Sequence, residues 1–372
     1  MFVHWVTFIA SLLAAGGISI FLLNNWLIGI EQSPWKIPLI ILLPLILVVG
    51  FGWLGWSQKG WIWILTLIGI FAWLLISWIK EVQNRKRLQA GPPITITRLN
   101  DHRASSSLRK FLLRTHLAVT TTDLNMAFYR VVIPEWEGPV VRVAQASDFH
   151  VNASLPVDFF RRVVQAVNAQ APDLILLPGD FVSHDGHEDL LPDLLGGFKA
   201  RWGAFGTLGN HDYWLGESLT SQLVSQAGIQ LIGDEVCKIQ VNEGSQTGNV
   251  LLFGCQYPWN GNSSPLQPDW PAVQSGDLNI VLSHTPDNFY TLCQQNFNAV
   301  LSGHLHAGQF QLPILGAITA PSKYGTRFAY GHYLSGKTHL FVTAGIGSMV
   351  PSLRVNCPPD IFIIDFVGSE PA

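Results

Sequence analysis

The sequence predicts an α/β domain with a mixed β-sheet, preceded by an α-helical transmembrane region. Two observations set that expectation. Residues 1–79 carry only Glu31, Lys36 and Lys59 as acidic or basic side chains, whereas the rest of the 372-residue chain has ordinary globular content. From Ala127 onward, short apolar runs alternate with segments of helical periodicity, first as strand–loop–helix units and then mostly as strands, the pattern of an α/β fold. The length accommodates one sizeable domain and an appendage.

The membrane region comes first in the chain. Apolar stretches cover 5–23, 37–56 and 61–79, each close to the ~20 residues that cross a hydrocarbon core. Tryptophans 26, 35, 53, 56, 61 and 78 lie at or near their ends, as interfacial aromatics do. Residues 1–7 contain no Lys or Arg, so the basic n-region of a signal peptide is missing. Three spans are expected over residues 1–80, the first of which has a re-entrant loop as its alternative. Lys80, Arg85, Lys86 and Arg87 come directly after. By the positive-inside rule, the third span then ends in the cytoplasm. The expected location is therefore the inner (cytoplasmic) membrane, multi-pass, with the remainder of the chain facing the cytoplasm.

Residues 81–126 read as a basic linker without strand alternation. Within it, Leu108, Phe111, Leu112, Thr115 and Val119 share one side of a helix over 107–119, either lying on anionic lipid or packed on the flank of the adjoining domain. That domain occupies 127–372. Strands are expected at 127–133, 140–146, 173–178, 202–208, 249–255, 278–283, 298–302, 338–344 and 361–366. Helices are expected at 156–170, 187–199, 217–227 and 286–296. Residues 257–273, rich in Pro, Asn, Ser and Trp, form an inserted loop without an evident purpose.

Several function classes drop out. A net charge of −3 gives no field for a nucleic-acid polymer. Four dispersed cysteines with no C-x-x-C disfavour a zinc ribbon or a disulfide framework. There is no P-loop and no G-x-S-x-G nucleophile elbow. Spans without buried charge offer no transport path.

What remains is a set of five short motifs, each placed just after an expected strand: Ser147-Asp148-Phe149-His150, Pro178-Gly179-Asp180, Gly209-Asn210-His211-Asp212, Ser283-His284 and Gly303-His304-Leu305-His306. In extended backbone, residues i and i+2 point the same way, so Asp148 with His150, and His304 with His306, are expected to share a side. Singly each motif is weak. Together they supply carboxylate, imidazole and amide donors at strand ends, where open α/β sheets build their sites. Such donors suit Mn²⁺, Fe²⁺ or Zn²⁺. Seven of them are too many for one ion and suit two divalent ions sharing a carboxylate.

In order and wording these motifs resemble the calcineurin-like metallophosphoesterase family, over roughly 140–366. The run from Gly303 through Gln309, and Gly345-Ile346-Gly347-Ser348 with Pro351, Arg354, Pro358 and Pro359, resemble a membrane-associated bacterial phosphodiesterase subgroup, some relatives of which hydrolyse UDP-diacylglucosamine. The resemblance implies a four-layer α/β/β/α sandwich. It implies Asp148, His150 and His306 on one metal, Asn210, His284 and His304 on the other, and Asp180 bridging them. His211 would act on the substrate, with Asp212 orienting its ring. His184, on the loop after Asp180, is a further candidate for the cleft.

The expected function is therefore metal-dependent hydrolysis of a phosphodiester or pyrophosphate in a lipid-linked substrate such as UDP-diacylglucosamine. The alternatives are an anchored phosphodiesterase or phosphatase acting on a soluble nucleotide, and a non-catalytic membrane receptor or scaffold.

Overall fold

A computed structural model describes residues 2–24, 36–57, 61–99, 120–151, 155–183, 187–267, 269–313, 315–349 and 352–369. The expected helix at 107–119 and His184 lie outside the described residues. The chain divides into two compact units, Met1–Leu88 with Ile318–Phe328, and Gln89–Ala317 with Ala329–Ala372.

The first unit is helical: α1 (Phe2–Leu22), α2 (Lys36–Ser57) and α3 (Trp61–Leu88). Two of its segments, His4–Leu22 and Trp63–Leu88, are long and apolar enough to cross a membrane, and Leu42–Ser57 forms a shorter apolar stretch. Thr7 Oγ1 donates to Gly55 O at 2.8 Å, Trp63 Nε1 donates to Ser11 Oγ at 3.1 Å, and the Phe21 and Trp73 rings lie 4.4 Å apart. These pairings make α2 antiparallel to α1 and α3 parallel to it, so α1 and α3 end on the same side. Ser11 and Ser19 bond carbonyls one turn back, Thr7 O and Ala15 O, so neither hydroxyl is left unpaired in apolar surroundings. Segment Ile318–Phe328 packs against the ends of both helices. Asn24 Nδ2 donates to Ile318 O at 2.8 Å, and Arg327 forms a two-point ion pair with Glu81 at 3.2 and 3.0 Å.

The second unit holds strands β1 (Thr95–Leu99), β2 (Leu124–Val132), β3 (Val141–Gln145), β4 (Leu174–Pro178), β5 (Ala204–Thr207), β6 (Gln230–Leu231), β7 (Val236–Glu243), β8 (Gln246–Cys255), β9 (Leu278–Ser283), β10 (Ala299–Ser302), β11 (Gln311–Leu312), β12 (Gly316–Ala317), β13 (Gly331–Ser335), β14 (Thr338–Val342) and β15 (Asp360–Val367). Its helices are α4 (Val157–Asn168), α5 (Leu191–Leu195), α6 (Asn210–Leu215), α7 (Glu217–Gln226) and α8 (Phe289–Leu292). Two mixed sheets form, in the orders β1-β2-β15-β3-β4-β5-β6 and β13-β14-β10-β9-β8-β7, with β11 and β12 as a separate hairpin.

Period-2 alternation builds the core. Val143, Leu174, Leu176, Phe362 and Ile364 of the first sheet share one buried cluster with Val250, Leu252, Ile280, Leu282 and Leu301 of the second. Their neighbours Ala144, Ile175, Leu177 and Ile363 face the other way, onto Phe160 and Val163 of α4, Leu194 of α5 and Val224 of α7. On the second sheet's outer side, Trp270 packs on Phe253 and Phe297 at 5.3 and 5.9 Å, which gives the 257–273 insertion a packing role. All four cysteines are free thiols.

Several local expectations need correction, among them the helix over 286–296, which is the four-residue α8 between two 3₁₀ turns. Thr95–Leu99 is a strand, not linker: it pairs antiparallel with Leu124–Phe128 and is exposed along its length, so ladder bonding rather than apolar patterning creates it. Residues 187–199 hold a short 3₁₀ turn and the five-residue α5, ended at Gly196 and Gly197. The Asn210–Leu215 helix was not anticipated. It is short and starts inside a motif.

Candidate metal centre

The five motifs converge. Each follows the C-terminal end of a strand, β3, β4 and β5 in one sheet and β9 and β10 in the other, and each trio or pair runs parallel. Three groups of potential ligands have atoms within 4.8 Å of one another: Asp148, His150 and His306; His150, Asp180 and His211; Asp180, His284 and His304. Asp180 belongs to two of them. Its Oδ2 lies 3.5 Å from His150 Nε2 and 3.1 Å from His284 Nε2. His150 and His306 face each other Nε2 to Nε2 at 3.1 Å, and His306 Nε2 is 3.5 Å from Asp148 Oδ1.

The extended-strand argument for D-x-H and H-x-H is overturned. Asp148, His150, Asp180, His304 and His306 all have positive φ, between 43° and 68°. The strands have already ended, and these residues aim their side chains from left-handed backbone that non-glycine residues rarely adopt. Such strain costs of order 1–3 kcal/mol per residue and collects where function over-determines the geometry. Close approach accompanies it. A Cβ at Gly179, itself at φ 83°, would meet Gly209 N at 2.7 Å and His284 Nδ1 at 2.8 Å, and one at Gly303 would collide with Asp148 Oδ2.

The donor set fits divalent metal on the structure's own terms. Asn210 Oδ1 and His211 Nε2 are buried without a hydrogen-bond partner, although burying an unsatisfied polar atom costs about 1–3 kcal/mol. Two imidazole nitrogens and a carboxylate oxygen that approach one another this closely are arranged as ligands around a common point. Charge obeys the same logic. Burial pushes Asp148 up to about 6, against the opposing pull of His284. Burial would raise Asp180 too, but His284, His150 and His211 hold it well below the usual carboxylate range. Burial alone would lower His284, yet Asp180 and Asp148 bring it up to about 9, while His150 is driven down to about 3 by burial.

His211 sits at the edge of this cluster, its ring 4.6 Å from that of His150 and its amide donating to Asp180 Oδ1 at 2.9 Å. Asp212 does not orient the His211 ring. Its carboxylate is fully buried and accepts the amides of Gly209 and Asp180 at 2.8 Å, Phe181 at 2.9 Å and Val182 at 3.3 Å. Placed in the first turn of α6, an acid is drawn to the free amides of that helix and of the facing Asp180 loop.

Further residues join the site. Trp214, one turn beyond His211 on α6, is 63% exposed with its ring 4.5 Å from the imidazole; spacing on a helix would have flagged it had α6 been foreseen. Trp259 of the inserted loop lies 5.4 Å from both His284 and His304. Arg354, fully buried, bonds Gly345 O and Gly347 O and lies 3.3 Å from His306 Nδ1. It thereby braces the Gly345–Gly347 turn, whose Ile346 and Gly347 amides donate to Ser147 O and Asp148 O.

Residues 141–308 match the calcineurin-like phosphoesterase family. The chain is 28% identical over 226 residues to phosphodiesterase YaeI of Escherichia coli K12, covering 59% of this chain and 80% of that protein. It is 29% identical over 231 residues to the uncharacterized metallophosphoesterase YkuE of Bacillus subtilis 168, covering 60% and 77%. It is 24% identical over 218 residues to the UDP-2,3-diacylglucosamine pyrophosphatase LpxG of Chlamydia trachomatis, covering 46% and 65%. The five converging motifs lie inside this match, and the chain carries a calcineurin-like metallophosphoesterase domain, that of a phosphoester hydrolase.

Proposed function

We propose that this chain is a membrane-anchored two-metal hydrolase of a phosphodiester or pyrophosphate bond in a lipid-linked substrate of the UDP-diacylglucosamine kind. The observation that carries the reading is the linkage of the ligand groups: Asp180 lies with His284 and His304 on one side and with His150 and His211 on the other, and His150 connects it to Asp148 and His306. Asp148, His150 and His306 would hold one divalent ion, Asn210, His284 and His304 the other, and Asp180 both; Mn²⁺, Fe²⁺ and Zn²⁺ suit these donors. Such a pair, when bound, supplies Lewis acidity toward the phosphoryl group and activation of water.

The chain's own residues do the rest. His211, outside the six terminal ligands and with Nε2 buried and unpartnered, is placed to hydrogen-bond the phosphoryl group or give a proton to the leaving oxygen, a contribution of typically ~10²–10⁴ in rate. Trp214 offers an exposed aromatic face beside it. The two membrane-length helices, with Lys80, Arg85, Lys86 and Arg87 at the end of the second, support a cytoplasmic catalytic domain at the inner membrane, with residues 81–126 leading into a domain that runs to the end of the chain. The likeness to LpxG supports the lipid-linked substrate class. The second reading, a soluble nucleotide substrate, is favoured by the same Trp214 face, since any base can stack there.

The test is a hydrolysis screen of the full chain reconstituted with Mn²⁺, Fe²⁺ or Zn²⁺, comparing UDP-diacylglucosamine, soluble nucleotide diesters, an aryl phosphodiester and phosphomonoesters. Preference for the diacyl substrate supports the proposal. Equal or better turnover of soluble nucleotides transfers it to the second reading, and no hydrolysis of any substrate overturns both.

A further inference from the structure

The insertion at 257–273 puts its two indoles to different uses. Trp270 is the anchor: its ring packs on Phe253 and Phe297, and its Nε1 donates to Asp234 O at 2.8 Å. Trp259 is placed at the metal centre instead. Its ring lies 5.4 Å from His284 and from His304, tilted 60° to each. The side chain is half-buried, so part of the indole stays open beside two of the proposed ligands.

A dedicated set of hydrogen bonds holds that placement. Asp234, between β6 and β7, gathers the insertion around its carboxylate. Its Oδ1 accepts the Gln256 amide at 2.9 Å, and its Oδ2 accepts Asn262 Nδ2 at 2.8 Å and Asn260 Nδ2 as well. Bonds to an ionised acceptor are the strong ones. The Trp259 amide donates to Gln256 O at 3.1 Å and closes the turn that carries the ring. Gln256 Oε1 accepts the Tyr213 hydroxyl at 2.9 Å, and Tyr213 stands on α6 between Asp212 and Trp214. One chain of bonds thus ties the Trp259 turn to the helix that bears His211. Composition then gives the class of ligand. Residues 256–273 contain Asp269 as their single charged side chain, and neither they nor α6 contain a Lys or Arg. Neither segment can pair a further phosphate. What they add around the metal ligands is indole, whose face recognises flat rings by stacking.

We propose that Trp259, held in place by Asp234, is the specificity-determining residue of a subsite for a planar ring, such as a nucleobase, carried by the phosphoester. This rests on the phosphoester-hydrolase reading and deepens it, because it names the part of the substrate that the inserted loop selects. A lipid-linked nucleotide and a soluble nucleotide share that part. Asp234 is a positioning residue here: it acts on the substrate through Trp259.

The experiment is calorimetry on the full chain in detergent, loaded with Mn²⁺, with UMP, ribose 5-phosphate, hexyl phosphate and inorganic phosphate as probes. The wild type should bind UMP more tightly than the other three. Trp259→Leu keeps apolar bulk but removes the ring. It should weaken UMP binding about 5- to 150-fold, the equivalent of the ~1–3 kcal/mol that stacking one base supplies. Its Kd for inorganic phosphate and its metal content should stay at the wild-type values, and Trp259→Phe should recover most of the preference for UMP. Asp234→Asn turns an amide NH₂ toward the Asn260 and Asn262 donors. It should weaken UMP binding in the same direction, and the double variant Trp259→Leu/Asp234→Asn should be no worse than Trp259→Leu, since both act through one ring. Equal weakening toward UMP and inorganic phosphate, or loss of metal in Trp259→Leu, overturns the proposal, because the ring would then support the ligands rather than the substrate. So does a wild type that binds ribose 5-phosphate or hexyl phosphate as well as UMP. Additive losses in the double variant overturn the role of Asp234. A wild type that shows the UMP preference yet hydrolyses no diester defeats the hydrolase reading alone.

Discussion

Asp212 and Asp180 are locked together in both directions: the Asp180 amide donates to Asp212 Oδ2 at 2.8 Å, while the amide of His211, beside Asp212, donates to Asp180 Oδ1 at 2.9 Å. The acid inside α6 thus sets the position of the carboxylate shared by two ligand groups. Asp212→Asn would turn an amide NH₂ toward backbone N–H groups that need acceptors. It should cost about 1–3 kcal/mol of stability and weaken metal retention. Thermal unfolding and elemental analysis check this, and a variant with normal Tm and metal content but slow turnover would return Asp212 to a role on His211.

Asp180→Asn removes the charge common to both groups. Metal content and hydrolysis should fall together, as read by elemental analysis of the purified chain beside an activity assay. Two ions retained with unchanged turnover would end the shared-ligand assignment.

His211→Ala should behave differently, keeping metal and fold yet losing roughly two to four orders of magnitude in kcat, the range for a removed general acid. The loss should shrink for an aryl leaving group, which needs protonation less. Loss of metal would make His211 a ligand, and a defect blind to leaving-group pKa would make its role electrostatic.

His332 and His339 give a pH-dependent stability away from the metal centre. Their rings stack, His332 Nε2 lies 2.8 Å from His339 Nδ1, and His332 also stacks on Phe341 at 4.1 Å. Burial lowers His332 to about 3, with His339 adding to it, and lowers His339 to about 4. The unfolded chain therefore takes up protons first as pH falls below about 6.5, and stability contributed by the neutral pair declines from there toward pH 4, by at most ~1.4 kcal/mol per pH unit per proton. His332→Gln should flatten the dependence of Tm on pH between 4 and 6.5 relative to the wild type; parallel curves would refute the assignment.

Topology is checked with reporters fused after Gln89. The basic end of α3, with Arg85, Lys86 and Arg87 in its last turn, predicts activity of a cytoplasmic reporter and silence of a periplasmic one. The opposite pattern would invert the chain and remove a cytoplasmic nucleotide-linked substrate from reach.

Sequence alone determined the candidate donors and the principal elements of this protein. Hydropathy marked the apolar helices, period-2 runs marked the principal strands, and five motifs named the donors that gather around Asp180. Those features are local: a strand's alternation or a helix's apolar run is written within a dozen residues. Only the tertiary structure decided how the donors are aimed. His150 meets His306 across 156 positions of sequence because the ends of β3 and β10 come together when the two sheets pack face to face through the shared core. The positive φ values of five donor residues, the capture of Asp212 by four amides and the creation of β1 by its ladder with β2 arise the same way. Each is imposed by backbone groups contributed from elsewhere in the chain, and the residues themselves carry no local preference that announces it.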